Sequence, residues 1–104
     1  MSAQQIRISQ VPSDRVQFTR ALRLISPMSL QQARELATHL DRFRHSVIVA
    51  GIEPAVAAHV ADVLRTAGAE VVVEDSSIAT PMLCSPAANA RYKWGAFRSI
   101  EKVT

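Results

Sequence analysis

The chain has one cysteine, Cys84, so no internal disulfide is open to it. That excludes a small cross-linked scaffold and fits a reducing compartment. The three glycines, Gly51, Gly68 and Gly95, are too far apart to form a phosphate-cradling loop. His39, His45 and His59 do not fall at metal-ligand spacing and no cysteine pairs with them, so no metal or other cofactor is expected. No apolar run approaches the ~20 residues that cross a bilayer. The opening residues, MSAQQIRIS, lack the basic start and apolar stretch of a secretory leader. These absences predict a cytoplasmic chain with no membrane partner. Lysine is nearly missing too: both copies, Lys93 and Lys102, lie close to the C-terminal end.

What is present suits one small α+β domain. Of the 104 residues, 48% are hydrophobic, enough for a compact core. The net charge of +3 is unevenly placed. Residues 1–85 hold eight arginines and eight acidic residues, which cancel. The excess sits in residues 86–104, where Arg91, Lys93, Arg98 and Lys102 face only Glu101, with Tyr92, Trp94 and Phe97 interleaved. A neutral body with a basic, aromatic tail gives two candidate surfaces: the tail, for nucleic acid or self-association, and whatever the body presents.

Periodicity organises the body. Ile6 and Ile8 alternate with Gln5, Arg7 and Ser9, the signal of a strand with one buried face. Ser13 is placed to cap a first helix, with Asp14 near its positive end. Phe18, Ala21, Leu22 and Ile25 share one face of that helix. Arg15, Thr19 and Arg23 share another, with Arg20 beside them. Pro27 stops the helix. Ser29 and Gln32 make a capping-box pattern for a second helix, buried through Ala33, Leu36, Ala37 and Leu40. Asp41 to His45 reads as a polar connection, and Val47 to Val49 as a well-covered strand. Gly51 turns the chain, and Pro54 suits the first turn of a third helix. That helix carries its apolar stripe on Val56, Val60, Val63, Leu64 and Ala67. Gly68 caps it, and Ala69–Glu74 forms a third strand.

The predicted order is β-α-α-β-α-β. A helical crossover makes the second and third strands parallel, and the first fits between them, antiparallel to both. The expected fold is a two-layer sandwich: a three-stranded sheet with three helices on one face, plus a C-terminal extension. The domain is assigned to residues 1–74 and the extension to residues 75–104. Ile78, Met82 and Leu83 are placed to pack the extension on the body, and its strand-like pieces suit an exposed sheet edge or a second subunit.

Arg15 to Thr38, RVQFTRALRLISPMSLQQARELAT, resembles the C-terminal domain of the bacterial ribosomal stalk protein. The family opens a helix with a basic residue and valine, then has a basic residue, alanine, an aliphatic and arginine. Here these are Arg15, Val16, Arg20, Ala21, Leu22 and Arg23. After a turn come Leu30, Ala33, Arg34 and Leu36. The segment Leu64 to Val73, LRTAGAEVVV, is similar to the family's entry into its last strand. The likeness covers roughly residues 5–74 and implies the same element order; the Clp-protease adaptor belongs to the same fold class. It implies that the first helix and following turn recruit a protein, through Arg15, Val16, Thr19, Arg20, Arg23, Ser29 and Arg34. In the family that surface recruits translational GTPases. The chain departs from the pattern at Thr19, where the family has an aliphatic, and at Pro27-Met28-Ser29, where it has glycines. Stalk proteins are acidic, whereas this chain has a pI near 9.8. The N-terminal dimerisation region and hinge do not precede the match, and about thirty residues follow the family's usual end. These departures imply a stand-alone relative rather than the stalk protein itself.

The reading of function is a non-enzymatic interaction module that offers its arginine face to an acidic protein surface. The tail, through Arg91, Tyr92, Lys93, Trp94, Phe97 and Arg98, gives the alternative of an RNA- or ribosome-associated protein, or a homodimer. A third alternative is a small regulator or immunity-type inhibitor of another protein. No nucleophile with a base at recognisable spacing supports catalysis. Cys84 is expected to be a small buried hydrophobe, and Glu70, Glu74 and Asp75 to be strand-end carboxylates.

Overall fold

The computed structural model describes residues 3–86 and 92–97. Their elements are β1 (Gln4–Gln10), α1 (Arg15–Ile25), α2 (Leu30–Arg42), β2 (Ser46–Ile52), α3 (Pro54–Thr66), β3 (Glu70–Asp75), β4 (Met82–Pro86) and β5 (Tyr92–Ala96). The α+β class and the first six elements follow the periodicities. The sheet does not: it has five strands, ordered β3-β1-β2-β4-β5 and antiparallel throughout, rather than three. The two additional strands come from the segment read as an extension. Pro81, Pro86 and short polar residues hide any period-2 signal there.

β1 lies between β2 and β3, antiparallel to both, as expected. Ile6 pairs with Val73 and Ile8 with Val71, so one face of β1–β3 is apolar; Gln5 faces Glu74 and Arg7 faces Val72 on the other. Between β1 and β2 the register shifts, Ile6 opposing Val49 while Arg7 opposes Val47. The extra residue, Ile48, makes a bulge, and both Ile48 and Val49 are fully buried. This accounts for a continuous apolar run in a strand whose other face is not all core.

The inner faces of the strands and the buried stripes of α1, α2 and α3 form a single core around Phe18, Leu22, Leu36 and Leu64. In α3 the stripe is rotated from the predicted one: Ala57, Val60, Ala61 and Leu64 are buried, whereas Val56, Val63 and Ala67 are only partly so. Two alanines facing inward let the helix approach the sheet closely, and packing density outweighs the size of the outward valines. The N-cap of α1 is Asp14, not Ser13; its carboxylate accepts from the Gln17 amide at 3.2 Å. α2 runs on to Arg42, two residues into the stretch read as a connection.

Leu83 is in the core opposite Val49, so β4 is joined to the body through packing as well as pairing. Phe97 is half-buried against the same core, and its amide donates to the Pro81 carbonyl at 3.3 Å. Among the described residues, no helix is long and apolar enough to cross a membrane.

Candidate functional site

α1 and α2 form an antiparallel hairpin. Its open end is joined by an ion pair of 2.7 Å between Arg15, at the start of α1, and Asp41, near the end of α2. Both side chains are nearly half exposed, so this pair contributes less than about 1 kcal/mol and serves mainly to hold Arg15 in place. The closed end is the turn from Ser26 to Ser29.

A shallow groove of about 290 Å³ lies along the hairpin. Six of the seven residues assigned to a partner surface line it: Arg15, Val16, Thr19, Arg20, Arg23 and Arg34. Leu30 completes it. Val16 and Leu30 are 65% and 44% exposed, large apolar side chains left on a rim. Thr19 is 7% exposed and forms the floor. Its hydroxyl proton is shared between the carbonyls of Arg15 at 2.8 Å and Val16 at 3.0 Å. Back-bonding of this kind commits the donor to the helix itself. Thr19 therefore offers no free proton to the groove.

The guanidiniums differ in how they are held. Arg23 Nε donates to the Met28 carbonyl at 3.2 Å, which fixes it beside the turn. Among the described residues, the guanidiniums of Arg20 and Arg34 have no ion-pair or hydrogen-bond partner. Their charges are available to a ligand, in a fork geometry that suits carboxylates.

Ser29 has a different task. Its hydroxyl accepts from the Gln32 amide at 3.1 Å while Gln32 Oε1 accepts from the Ser29 amide at 2.9 Å, a complete capping box at the start of α2. It does not line the groove. Ser29→Ala is expected to cost about 1 kcal/mol, read by chemical denaturation. An unchanged denaturation midpoint would show that the cap does not hold α2. Leu30 was not among the assigned residues. The available signal was its position outside the buried Ala33-Leu36-Ala37-Leu40 stripe.

The tail residues divide. Tyr92, Lys93 and Trp94 lie in β5, Trp94 opposite Cys84, and Phe97 packs on the core. Arg91 and Arg98 lie outside the described residues. Cys84 is free and fully buried. It lies off the helix-side core, since Val49 and Leu83 occupy that face of the β2–β4 pair and Cys84 is next in alternation.

The other candidate groups are structural. Glu74 accepts from Arg7 Nη2 at 2.8 Å and Nε at 3.2 Å, and also from Gln5 Nε2. These hydrogen bonds, Arg7 first, hold its carboxyl below the usual range. The network ties β1 to β3. His39 lies 4.9 Å from the Phe43 ring. Burial, with the nearby charge of Arg42, lowers its pKa. Among the described residues, no group of three or more His, Cys, Asp or Glu could hold a metal ion. A second concavity, of about 540 Å³, lies beside Gly51, Ile52 and Pro54. It is larger but has a single charged residue, Glu53, and no convergent polar groups. No family model, curated protein or solved structure matches this chain.

Proposed function

We propose that the chain is a non-enzymatic, cytoplasmic protein-binding module that offers the α1–α2 groove to an acidic surface of a protein partner. The observation that carries this reading is convergence. Residues separated by up to nineteen positions, Arg15 to Arg34, line one groove with a floor at Thr19, exposed apolar rims and two arginines, Arg20 and Arg34, that have no partner among the described residues. Arginine is one of the residues enriched at interaction hot spots. The resemblance to the stalk domain supports the same surface independently, and it alone supports a link to translation.

Arg20→Glu with Arg23→Glu tests this reading. The double variant is expected to stay folded, with an unchanged circular dichroism spectrum, and to bind its partner about 100-fold more weakly. The measurement is affinity capture from cytoplasmic lysate, with and without nuclease, followed by titration of the captured protein. Retention of the partner at parental strength would overturn the groove assignment. Capture that nuclease removes completely would point to RNA instead, and its affinity should then fall steeply with salt.

A further inference from the structure

Building on the reading of the groove as a docking surface, we propose that its occupant is an acidic helical segment that seats one apolar side chain on Thr19. The first argument concerns backbone hydrogen bonds. The groove walls are the sides of two helices, whose interior N–H and C=O groups are already paired within α1 and α2. The Thr19 proton is committed to α1 as well. An extended chain would therefore press unpaired backbone groups against Val16, Thr19 and Leu30. A helix arrives with its backbone satisfied and needs nothing from the walls.

The second argument concerns size. The apolar part of the groove is short: a floor at Thr19 between rims at Val16 and Leu30, within about 290 Å³ in all. That accommodates one bulky side chain rather than a long apolar stripe. The third concerns charge. Arg20, Arg23 and Arg34 surround this floor on both helices. Carboxylates one turn before and after the apolar residue lie on the same face of an incoming helix, where the arginines can reach them. Thr19 thus acts as the depth gauge of the site. A longer side chain there fills the seat without touching any charge.

The test uses the ¹⁵N-labelled full chain and two synthetic peptides of Ala, Glu and Gln with one central Leu. One peptide is shown to be helical by circular dichroism; the other has the same composition with a Pro beside the Leu. The helical peptide is expected to shift the amides of Val16, Thr19, Arg20, Arg23, Leu30 and Arg34. The Pro peptide should bind at least about tenfold more weakly. Thr19→Val should bind within about twofold of the parent, since it keeps the floor, and Thr19→Leu at least about tenfold more weakly, with its fold checked by the same spectra. Equal binding of the two peptides overturns the helical seating and leaves the groove reading intact. A parental affinity in Thr19→Leu overturns the seat. No perturbation by the helical peptide at millimolar concentration overturns the proposal as a whole. So does a single-stranded oligonucleotide that shifts the same amides at lower concentration than the peptide. The groove reading itself fails only if the Arg20→Glu, Arg23→Glu chain keeps its natural partner, which separates the two outcomes.

Discussion

Gly51→Ala is expected to lower the melting temperature by roughly 10–25 °C, the shift that about 3 kcal/mol makes in a domain of this size. Gly51 sits near the end of β2 with φ of 71°, in the left-handed region that L side chains rarely adopt. A Cβ added there would overlap the Thr80 carbonyl, 2.5 Å from its carbon. Backbone, not a flexible side chain, is the obstacle, so relief requires moving the 76–81 segment. That segment leads directly into β4, which pairs with β2 at Val49–Leu83 and Ala50–Met82. The substitution is therefore expected to loosen β4 from the sheet before the rest unfolds. Hydrogen exchange should show faster exchange at Leu83 and Val49 than in the parent, with α1 and α2 less affected. A melting temperature within about 2 °C of the parent would mean that Thr80 does not press on Gly51.

This contact illustrates what could and could not be read in the sequence. α1, α2 and their faces were legible because their apolar residues repeat at helical spacing and Pro27 and Ser29 punctuate them. The helical crossover made β2 and β3 parallel, and β1 was expected to fit between them, antiparallel to both. That the segment after Asp75 could add a strand at a sheet edge was legible, but the bounds of β4, its pairing with β2 and the presence of β5 were not. Their sheet position is set by non-local pairing with β2 and by the fit of the 76–81 segment over Gly51, and neither leaves a local pattern. The stripe of α3 was misjudged because the larger valines outweighed Ala57 and Ala61 in the pattern, whereas close helix–sheet contact favours the small residues.

The site was readable in the same partial way. Spacing along one helix grouped Arg15, Thr19 and Arg23 with Arg20 beside them, and the resemblance added Val16, Ser29 and Arg34. Only the placement of α2 against α1 shows that Leu30 joins them. Only the hydrogen bonds of Thr19 show that the polar residue at the floor has committed its proton to its own helix. Ser29 was assigned to the surface because it stands in the turn, but its capping role engages both its amide and its hydroxyl.

Phe18→Ala is expected to destabilise the domain by about 3–5 kcal/mol, a large share of the ~5–15 kcal/mol that holds such a domain together. Phe18 heads the fully buried side chains by size and stands one position before Thr19 on α1. It carries the inner face of the helix whose outer face forms the groove. Truncation leaves a cavity beneath α1 that Ala21, Leu22 and Ile25 cannot fill without shifting the helix. The measurement is urea denaturation with the partner titrated in parallel. The midpoint should fall sharply, and binding should weaken in proportion to the folded fraction remaining. Arg20→Glu with Arg23→Glu should show the reverse: a midpoint near the parent's and binding lost. That contrast distinguishes a residue that shapes the surface from one that contacts the partner. If Phe18→Ala left the midpoint unchanged, α1 would not be anchored as described, and an outer face assembled on it could not hold a defined groove.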